Sequence, residues 1–187
     1  MRLSRTRLQR RKLMTKIFYA YKPREFSHEM LLHVLESFYG LKPAEEDFIV
    51  NENGKPSLKN GGLKFNITHT DGLIMIAVSD KEVGIDAENV FRKAETQKIA
   101  EKYFSDEERG QIKTDKHFYT LWTKKESAIK YAGLSLAAAL KKTSFAQESP
   151  TGYPEYADAL TRSYSFDDFV YSITAPDPTH ELVFIYS

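Results

Sequence analysis

The spacing of apolar residues divides the first half of the chain into short strands and one helix. Residues 15–21 alternate between polar and apolar side chains, which predicts a strand. Apolar residues then recur at helical spacing between Ser27, a suitable cap, and Gly40, a suitable terminator. A loop rich in turn-forming residues follows at 51–56. Three β-rich runs separated by turns then predict neighbouring strands of a meander at 63–68, 73–79 and 83–88.

The second half repeats the order of helices followed by strands. Residues 94–103 have a helical composition, and Ser105 with Glu108 has the spacing of a capping box that opens another helix. The strongest helical pattern covers residues 116–131 and ends at Gly133. Four further runs predict strands at 136–145, 163–169, 170–175 and 180–186. The repeated order predicts an α+β fold of two similar lobes, each a helix with an antiparallel meander.

Charge is distributed unevenly along this pattern. Residues 1–24 contain nine Lys or Arg and no acid, which leaves residues 25–187 with 18 basic and 26 acidic side chains. We therefore divide the chain into a basic extension at 1–13, expected to be disordered, an N-terminal lobe at 14–83 and a C-terminal lobe at 84–187. A nucleic-acid-binding role for the basic arm is an alternative that the acidic body disfavours.

Composition excludes several classes of protein. Hydrophobic residues make up 41% and charged residues 28% of the 187, which is typical of a globular chain. The absence of cysteine excludes disulfides, thiolate metal sites and cysteine nucleophiles, so any metal must bind oxygen or imidazole. No apolar run approaches the roughly 20 residues of a spanning helix, and no secretory signal is recognisable. We therefore expect a soluble, cytoplasmic protein.

Two carboxylates lie two residues apart in the third predicted strand. Asp86 and Glu88 would point to the same face of an extended strand, and the apolar residues between and before them to the other. Such a pair can bind a cation. The alternative is an ordinary half-exposed strand whose acids are solvated.

The strongest helix carries an acid and a base on one stripe. Trp122, Glu126 and Lys130 are four residues apart, which places them on one face. A surface ion pair beside a core tryptophan is the simpler interpretation. Together with Asp86 and Glu88, however, Glu126 could complete a three-carboxylate site for a hard divalent ion such as Mg²⁺.

Three further residues are candidates for a site. His69 ends a predicted strand, where its imidazole could reach a cleft and donate to a phosphate, or form a purely structural hydrogen bond. Lys55, on a turn, offers a point charge to an anion or is simply solvated. Glu108 has a sufficient structural role in the capping box, so a catalytic role needs other support.

The order and spacing of five motifs closely resemble the 4′-phosphopantetheinyl transferases. The motifs are Gly54-Lys55-Pro56, Phe65-Asn66-Ile67-Thr68-His69-Thr70, Gly84-Ile85-Asp86-Ala87-Glu88, Tyr103-Phe104-Ser105 with Glu108, and Trp122 followed by Lys125-Glu126-Ser127 and Lys130. The resemblance covers residues 54–145 and is to the larger, monomeric, surfactin-synthetase-activating type. It implies two similar lobes with the active site between them.

The resemblance also implies a reaction, its partners and a set of site residues. The family transfers phosphopantetheine from coenzyme A to a serine of an apo acyl or peptidyl carrier protein and releases adenosine 3′,5′-bisphosphate. Asp86, Glu88 and Glu126 match its Mg²⁺ ligands. The matches to its coenzyme A contacts are His69 and Lys130 at the phosphates, Thr68 beside them and Lys55 near the nucleotide. Both Glu126 and Glu108 match candidates for the general base, of which we favour Glu126.

The sequence departs from the family pattern in two places. Thr68 and Thr70 flank His69 where serines are usual, a change that keeps both hydroxyls. The basic segment before the first helix is short, and His28-Glu29 stands where an arginine often opens that helix. This second departure motivates an alternative function, a non-catalytic protein that binds coenzyme A or a carrier protein without transfer.

Overall fold

The computed structural model describes residues 14–185, and the predicted extension at residues 1–13 lies outside the described residues. The strands are β1 (Thr15–Tyr21), β2 (Phe48–Val50), β3 (Pro56–Leu58), β4 (Lys64–Thr70), β5 (Leu73–Ser79), β6 (Gly84–Asn89), β7 (Leu160–Phe166), β8 (Phe169–Ala175) and β9 (His180–Phe184). The helices are α1 (Ser27–Tyr39), α2 (Thr96–Tyr103), α3 (Asp106–Gln111), α4 (Asp115–Ala132) and α5 (Leu136–Ala139). Within the described range, none of these helices is both long and apolar enough to cross a membrane.

The strands form two main sheets and a hairpin. The first sheet has the order β4-β5-β1-β9, in which only the β1–β9 pair is parallel. The second has the antiparallel order β6-β8-β7, and β2 pairs with β3 across the predicted loop. The predicted three-stranded meander is therefore wrong for its last strand, because β6 pairs with β8. Strand β9, which our division assigned to the C-terminal lobe, lies in the first sheet.

Three clusters of buried apolar side chains show how the helices and sheets pack on one another. One packs α1 against one face of the first sheet, with Phe18 and Val34 fully buried. The second lies between the two sheets and includes Met75 from the first and Ile173 from the second. The third packs α4 and α2 around Phe118 on the outer face of the second sheet. The mixed class of helices and sheets is confirmed, whereas the pseudo-twofold relation of two lobes stays a prediction.

Most of the helix-capping residues predicted from the sequence are found at helix ends in the structure. Glycine ends α1 at Gly40 and α4 at Gly133, both with positive φ, 67° and 65°, which a residue with a Cβ rarely adopts. The Ser105 capping box is present at the start of α3. The predicted cap by Ser27 is wrong, because this residue lies inside α1 and its hydroxyl donates to the Arg24 carbonyl at 2.7 Å.

The strand predicted at 136–145 is the clearest error in secondary structure. Residues Leu136–Ala139 form the short helix α5, and no strand follows until β7. Three consecutive alanines favour a helix over an extended chain. The leucines on either side of them gave an apolar run that was interpreted as a strand. The next two strands were predicted as 163–169 and 170–175; in the structure they are β7 and β8, joined by a turn at residues 167–168.

Candidate active site

Two carboxylates of β6 lie against two threonines of β4. Thr68 donates from Oγ1 to Asp86 Oδ1 at 3.0 Å, and Thr70 donates from Oγ1 to Glu88 Oε2 at 3.0 Å. Residues two apart point the same way on each strand, so the two hydroxyls match the two acids. Both acids are buried. The alternative of solvated acids on a half-exposed strand is therefore wrong.

Helix α4 brings a third acid, Glu126, and a base, Lys130, to the same place. Lys130 Nζ lies 2.6 Å from Asp86 Oδ1 and 3.9 Å from Glu126 Oε2. This approach depends on Gly84, because a Cβ there would lie 2.0 Å from the Ser127 carbonyl oxygen. The absence of a side chain on Gly84 lets the backbones of β6 and α4 nearly touch. The predicted Glu126–Lys130 stripe thus faces Asp86, while Trp122 packs on Phe118 with ring centroids 6.0 Å apart.

The electrostatics of this cluster are strongly perturbed. Burial and the negative charge of Asp86 raise the pKa of Glu126 to about 8, against the pull of Lys130. Burial works to lower the pKa of Lys130, but the Asp86 and Glu126 carboxylates outweigh it and hold this pKa above its usual value. Asp86 Oδ2 is buried, and the described residues provide no donor to it. A proton on Glu126 or a bound cation would compensate this oxygen.

Glu88 has a different environment from the other two acids. Arg92 Nη1 donates to both Glu88 oxygens at 3.0 Å, in addition to the Thr70 hydroxyl. Burial and the charge of Asp86 raise the pKa of Glu88, and Arg92 and Thr70 oppose the rise. Sequence analysis missed Arg92, because spacing of four residues indicates an ion pair only on a helix, and Arg92 lies in the turn after β6.

Two of the three carboxylates in this cluster are suited to bind a hard divalent cation. Among residues 14–185, no three His, Asp or Glu side chains are already arranged as a metal-binding group. The uncompensated Asp86 Oδ2 and the neighbouring Glu126 are nevertheless oxygen ligands of the type that Mg²⁺ prefers, and Mg²⁺ is commonly held by one or two carboxylates. Asp86 and Glu126 therefore fit such an ion, whereas Glu88 is held by Arg92.

His69 lies near the cluster on the solvent-facing side of β4. Its side chain is exposed, and Thr68 and Thr70 on either side of it point into the protein. Partial burial and the positive charges of Arg24 and Lys130 lower the pKa of His69. Arg24 and Lys130 therefore both lie within electrostatic reach of His69, and the exposed edge around this imidazole is suited to an anion. The hydroxyl hydrogen of Thr68 is already donated to Asp86.

Lys55 is not placed as a free cation. Its ammonium group forms an ion pair with Glu82 and donates to the Tyr131 carbonyl at 2.9 Å and the Val83 carbonyl at 3.3 Å. Burial lowers the pKa of Lys55, and Glu82 opposes this. The side chain thus ties the β3 turn to the end of α4. A direct contact between Lys55 and a nucleotide would require this pairing to open.

Glu108 is fully engaged in the structure of α3. One carboxylate oxygen accepts from Ser105 N at 2.8 Å, and the other accepts from Phe145 N at 2.7 Å. The buried ammonium group of Lys125 lies 2.9 Å from Glu108 Oε2. These contacts confirm the structural role in the capping box, and they leave Glu108 without access to a substrate.

Comparisons with known proteins identify the family that this chain resembles. The model of the 4′-phosphopantetheinyl transferase superfamily matches residues 82–174, which contain β6 and α4. A 4′-phosphopantetheinyl transferase of Bacillus subtilis is 41% identical over 110 residues, covering 54% of this chain and 48% of its own. The Sfp 4′-phosphopantetheinyl transferase of B. subtilis strain 168 is 31% identical over 131 residues, 63% of this chain and 57% of its own. The psf-1 4′-phosphopantetheinyl transferase of Bacillus pumilus is 27% identical over 150 residues, 74% of this chain and 64% of its own.

These matches define the class to which the chain is assigned. The chain belongs to the 4′-phosphopantetheinyl transferase superfamily, a class of enzymes. It matches less than two thirds of the length of each of these three relatives.

Proposed function

We propose that this chain transfers 4′-phosphopantetheine from coenzyme A to a serine of an apo acyl or peptidyl carrier protein. The reaction depends on Mg²⁺ and releases adenosine 3′,5′-bisphosphate. The observation that carries the proposal is the buried cluster of Asp86, Glu126 and Lys130, which lies within the segment that the family model matches. A monomeric chain acting in the cytoplasm is part of the same proposal.

The reaction requires positive charge and an oriented acceptor. The serine oxygen forms a bond to the phosphorus that carries pantetheine, the bond from this phosphorus to the bridging oxygen breaks, and the serine hydroxyl loses its proton. Charge builds up on the leaving bisphosphate, so catalysis depends mainly on positioning and charge neutralisation. Bound at Asp86 and Glu126, Mg²⁺ would neutralise part of the pyrophosphate charge.

The cluster offers a residue for each remaining task. Lys130 keeps its proton, because its pKa is raised, and can stabilise the negative charge that develops on the pyrophosphate. His69 lies at the exposed edge of the cluster and can donate to a phosphate. Glu126 lies beside Lys130 and Asp86, and it is the residue that we favour as acceptor of the serine proton. Glu108 does not fit the base, because both its oxygens are occupied.

Two observations favour the alternative of binding without transfer. Lys55, the expected nucleotide contact, is occupied by Glu82, and the basic segment before α1 is short. A protein that retained coenzyme A and never released adenosine 3′,5′-bisphosphate would match this alternative.

A pair of matched variants tests the proposal at the site. Release of adenosine 3′,5′-bisphosphate is followed by chromatography with coenzyme A, Mg²⁺ and an apo carrier protein. Asp86→Asn should abolish release, because Asp86 contacts Lys130 and carries the uncompensated oxygen. Asp80→Asn removes one charge at an exposed turn and should leave the rate unchanged. An Asp86→Asn protein as active as the wild type would refute the assignment.

A further inference from the structure

The Glu88 carboxylate is already neutralised by a neighbouring side chain. Arg92 Nη1 lies 3.0 Å from both Glu88 oxygens, and the Thr70 hydroxyl donates to one of them. Hydrogen bonds between ionised partners are stronger than neutral ones, and this carboxylate is buried while the guanidinium is half exposed. The carboxylate thus has a positive charge and three donor contacts before any ion arrives.

The position of Arg92 is built into the fold. A turn follows β6, in which Arg92 N donates to the Asn89 carbonyl at 3.1 Å and Phe91 N donates to Asn89 Oδ1 at 2.8 Å. The Tyr119 hydroxyl, from α4, donates to the Arg92 carbonyl. The backbone of Arg92 is therefore fixed by the turn and by α4, which holds the base of its side chain beside Glu88.

Asp86 and Glu126 have fewer hydrogen-bond donors and positive charges around their carboxylates than Glu88 has. Asp86 Oδ2 is buried with no donor from the described residues, and Glu126 shares a single base, Lys130, with Asp86. A cation entering the cluster would therefore gain most from these two acids. Binding to Glu88 would first require the contacts with Arg92 to break.

We propose that Arg92 is a positioning residue that holds Glu88 outside the ligand set of the divalent ion, so that the ion is carried by Asp86 and Glu126. The inference rests on the proposed function, because that function requires the ion. It changes the role of Glu88 from a ligand to a partner of Arg92, and it gives the ion a weaker site than three free carboxylates would.

The affinity for Mn²⁺ tests this role without any substrate. Mn²⁺ accepts the same oxygen ligands as Mg²⁺, and electron paramagnetic resonance measures its free concentration. Arg92→Gln should bind Mn²⁺ about tenfold more tightly, the effect of one freed unit charge about 5 Å from a divalent ion at the dielectric constant of water. Arg92→Lys should behave like the wild type, because a single nitrogen of Arg92 makes both contacts. Lys93→Gln removes a charge from the neighbouring exposed position and should have little effect.

A charge-matched double variant separates this role from simple electrostatics. Arg92→Gln with Glu88→Gln removes the whole ion pair, so its net charge equals that of the wild type. It should bind Mn²⁺ within about threefold of the wild type, since neither protein offers a free carboxylate at position 88. A much weaker double variant would show that Glu88 is a ligand and would overturn the proposal.

The remaining outcomes are also decisive. An Arg92→Gln protein that binds Mn²⁺ no better than the wild type contradicts the inference, as does the absence of binding by both proteins. Circular dichroism of each variant checks that the fold is retained. The release of adenosine 3′,5′-bisphosphate is measured on the same proteins. A protein that binds Mn²⁺ as expected and transfers nothing would contradict the proposed function alone, whereas transfer without the expected affinity pattern would contradict the Arg92 role alone.

Discussion

The raised pKa of Glu126 predicts how the stability of the metal-free protein depends on pH. Glu126 is buried beside Asp86, and its pKa lies at about 8 instead of the usual 4.5. The folded protein therefore keeps a proton that the unfolded chain releases. Below pH 4.5, the pKa of this group in the unfolded chain, the protonated Glu126 makes its full contribution to the free energy of unfolding. This contribution is lost as the pH rises towards about 8, the pKa in the folded protein. Replacement by glutamine removes this titration and keeps a neutral side chain of similar shape.

The expected effect is large enough to measure by urea unfolding. For one group whose pKa rises from 4.5 to about 8, the free energy of unfolding should fall by about 3 kcal/mol between pH 5 and pH 7.5. In EDTA, the wild type should lose about this much relative to Glu126→Gln over that range. Urea unfolding at both pH values gives the difference directly. Added Mg²⁺ should reduce the loss in the wild type, because an ion that binds only the folded state stabilises it.

Parallel pH profiles for the two proteins would refute this reasoning. They would mean that Glu126 titrates alike in the folded and unfolded states, and hence that it is neither desolvated nor coupled to Asp86. Glu107→Gln is the matched control, because Glu107 is an exposed acid in the first turn of α3, and it should leave the pH dependence between pH 5 and 7.5 unchanged.

Three further substitutions test other parts of the site. Gly84→Ala should lower the free energy of unfolding by about 3 kcal/mol or more in a urea titration, because the new methyl group would meet the Ser127 carbonyl at 2.0 Å; a loss within 1 kcal/mol would contradict the close packing. Lys125→Met should cost about 3–5 kcal/mol in the same assay, since it leaves Glu108 buried without its counter-charge, and an unchanged midpoint would argue against the ion pair. Lys130→Ala should lower kcat for transfer at least about tenfold, and unchanged kinetics would make Lys130 a purely structural partner of Asp86.

Local patterns predicted the elements that depend on local physics. The alternation at residues 15–21 predicted β1 with its observed bounds, and Gly40 and Gly133 end their helices as expected because only a few residues adopt positive φ. Alternation also predicted that Asp86 and Glu88 share a side, and helical spacing predicted that Glu126 and Lys130 do.

Partners that are distant in sequence could not be predicted in this way. Strand β6 pairs with β8, about 80 residues further along, and nothing within a run of six residues specifies that choice. Lys55 carried a plain signal of positive charge, but whether it meets a nucleotide or Glu82 depends on how β3, β6 and α4 pack. The ion pair between Arg92 and Glu88 depends on a turn that the Tyr119 hydroxyl of α4 holds by donating to the Arg92 carbonyl. Tyr119 lies far from this turn in the sequence, so local patterns could not predict the pair.

The most direct test of the proposed activity is the intact mass of carrier proteins. A panel of apo acyl and peptidyl carrier proteins is incubated with this protein, coenzyme A and Mg²⁺, and with EDTA in a parallel series. We expect at least one carrier to gain the mass of a single phosphopantetheine, and we expect EDTA to prevent the gain. Measurable coenzyme A binding with no gain on any carrier would contradict the proposed transfer and favour binding without catalysis.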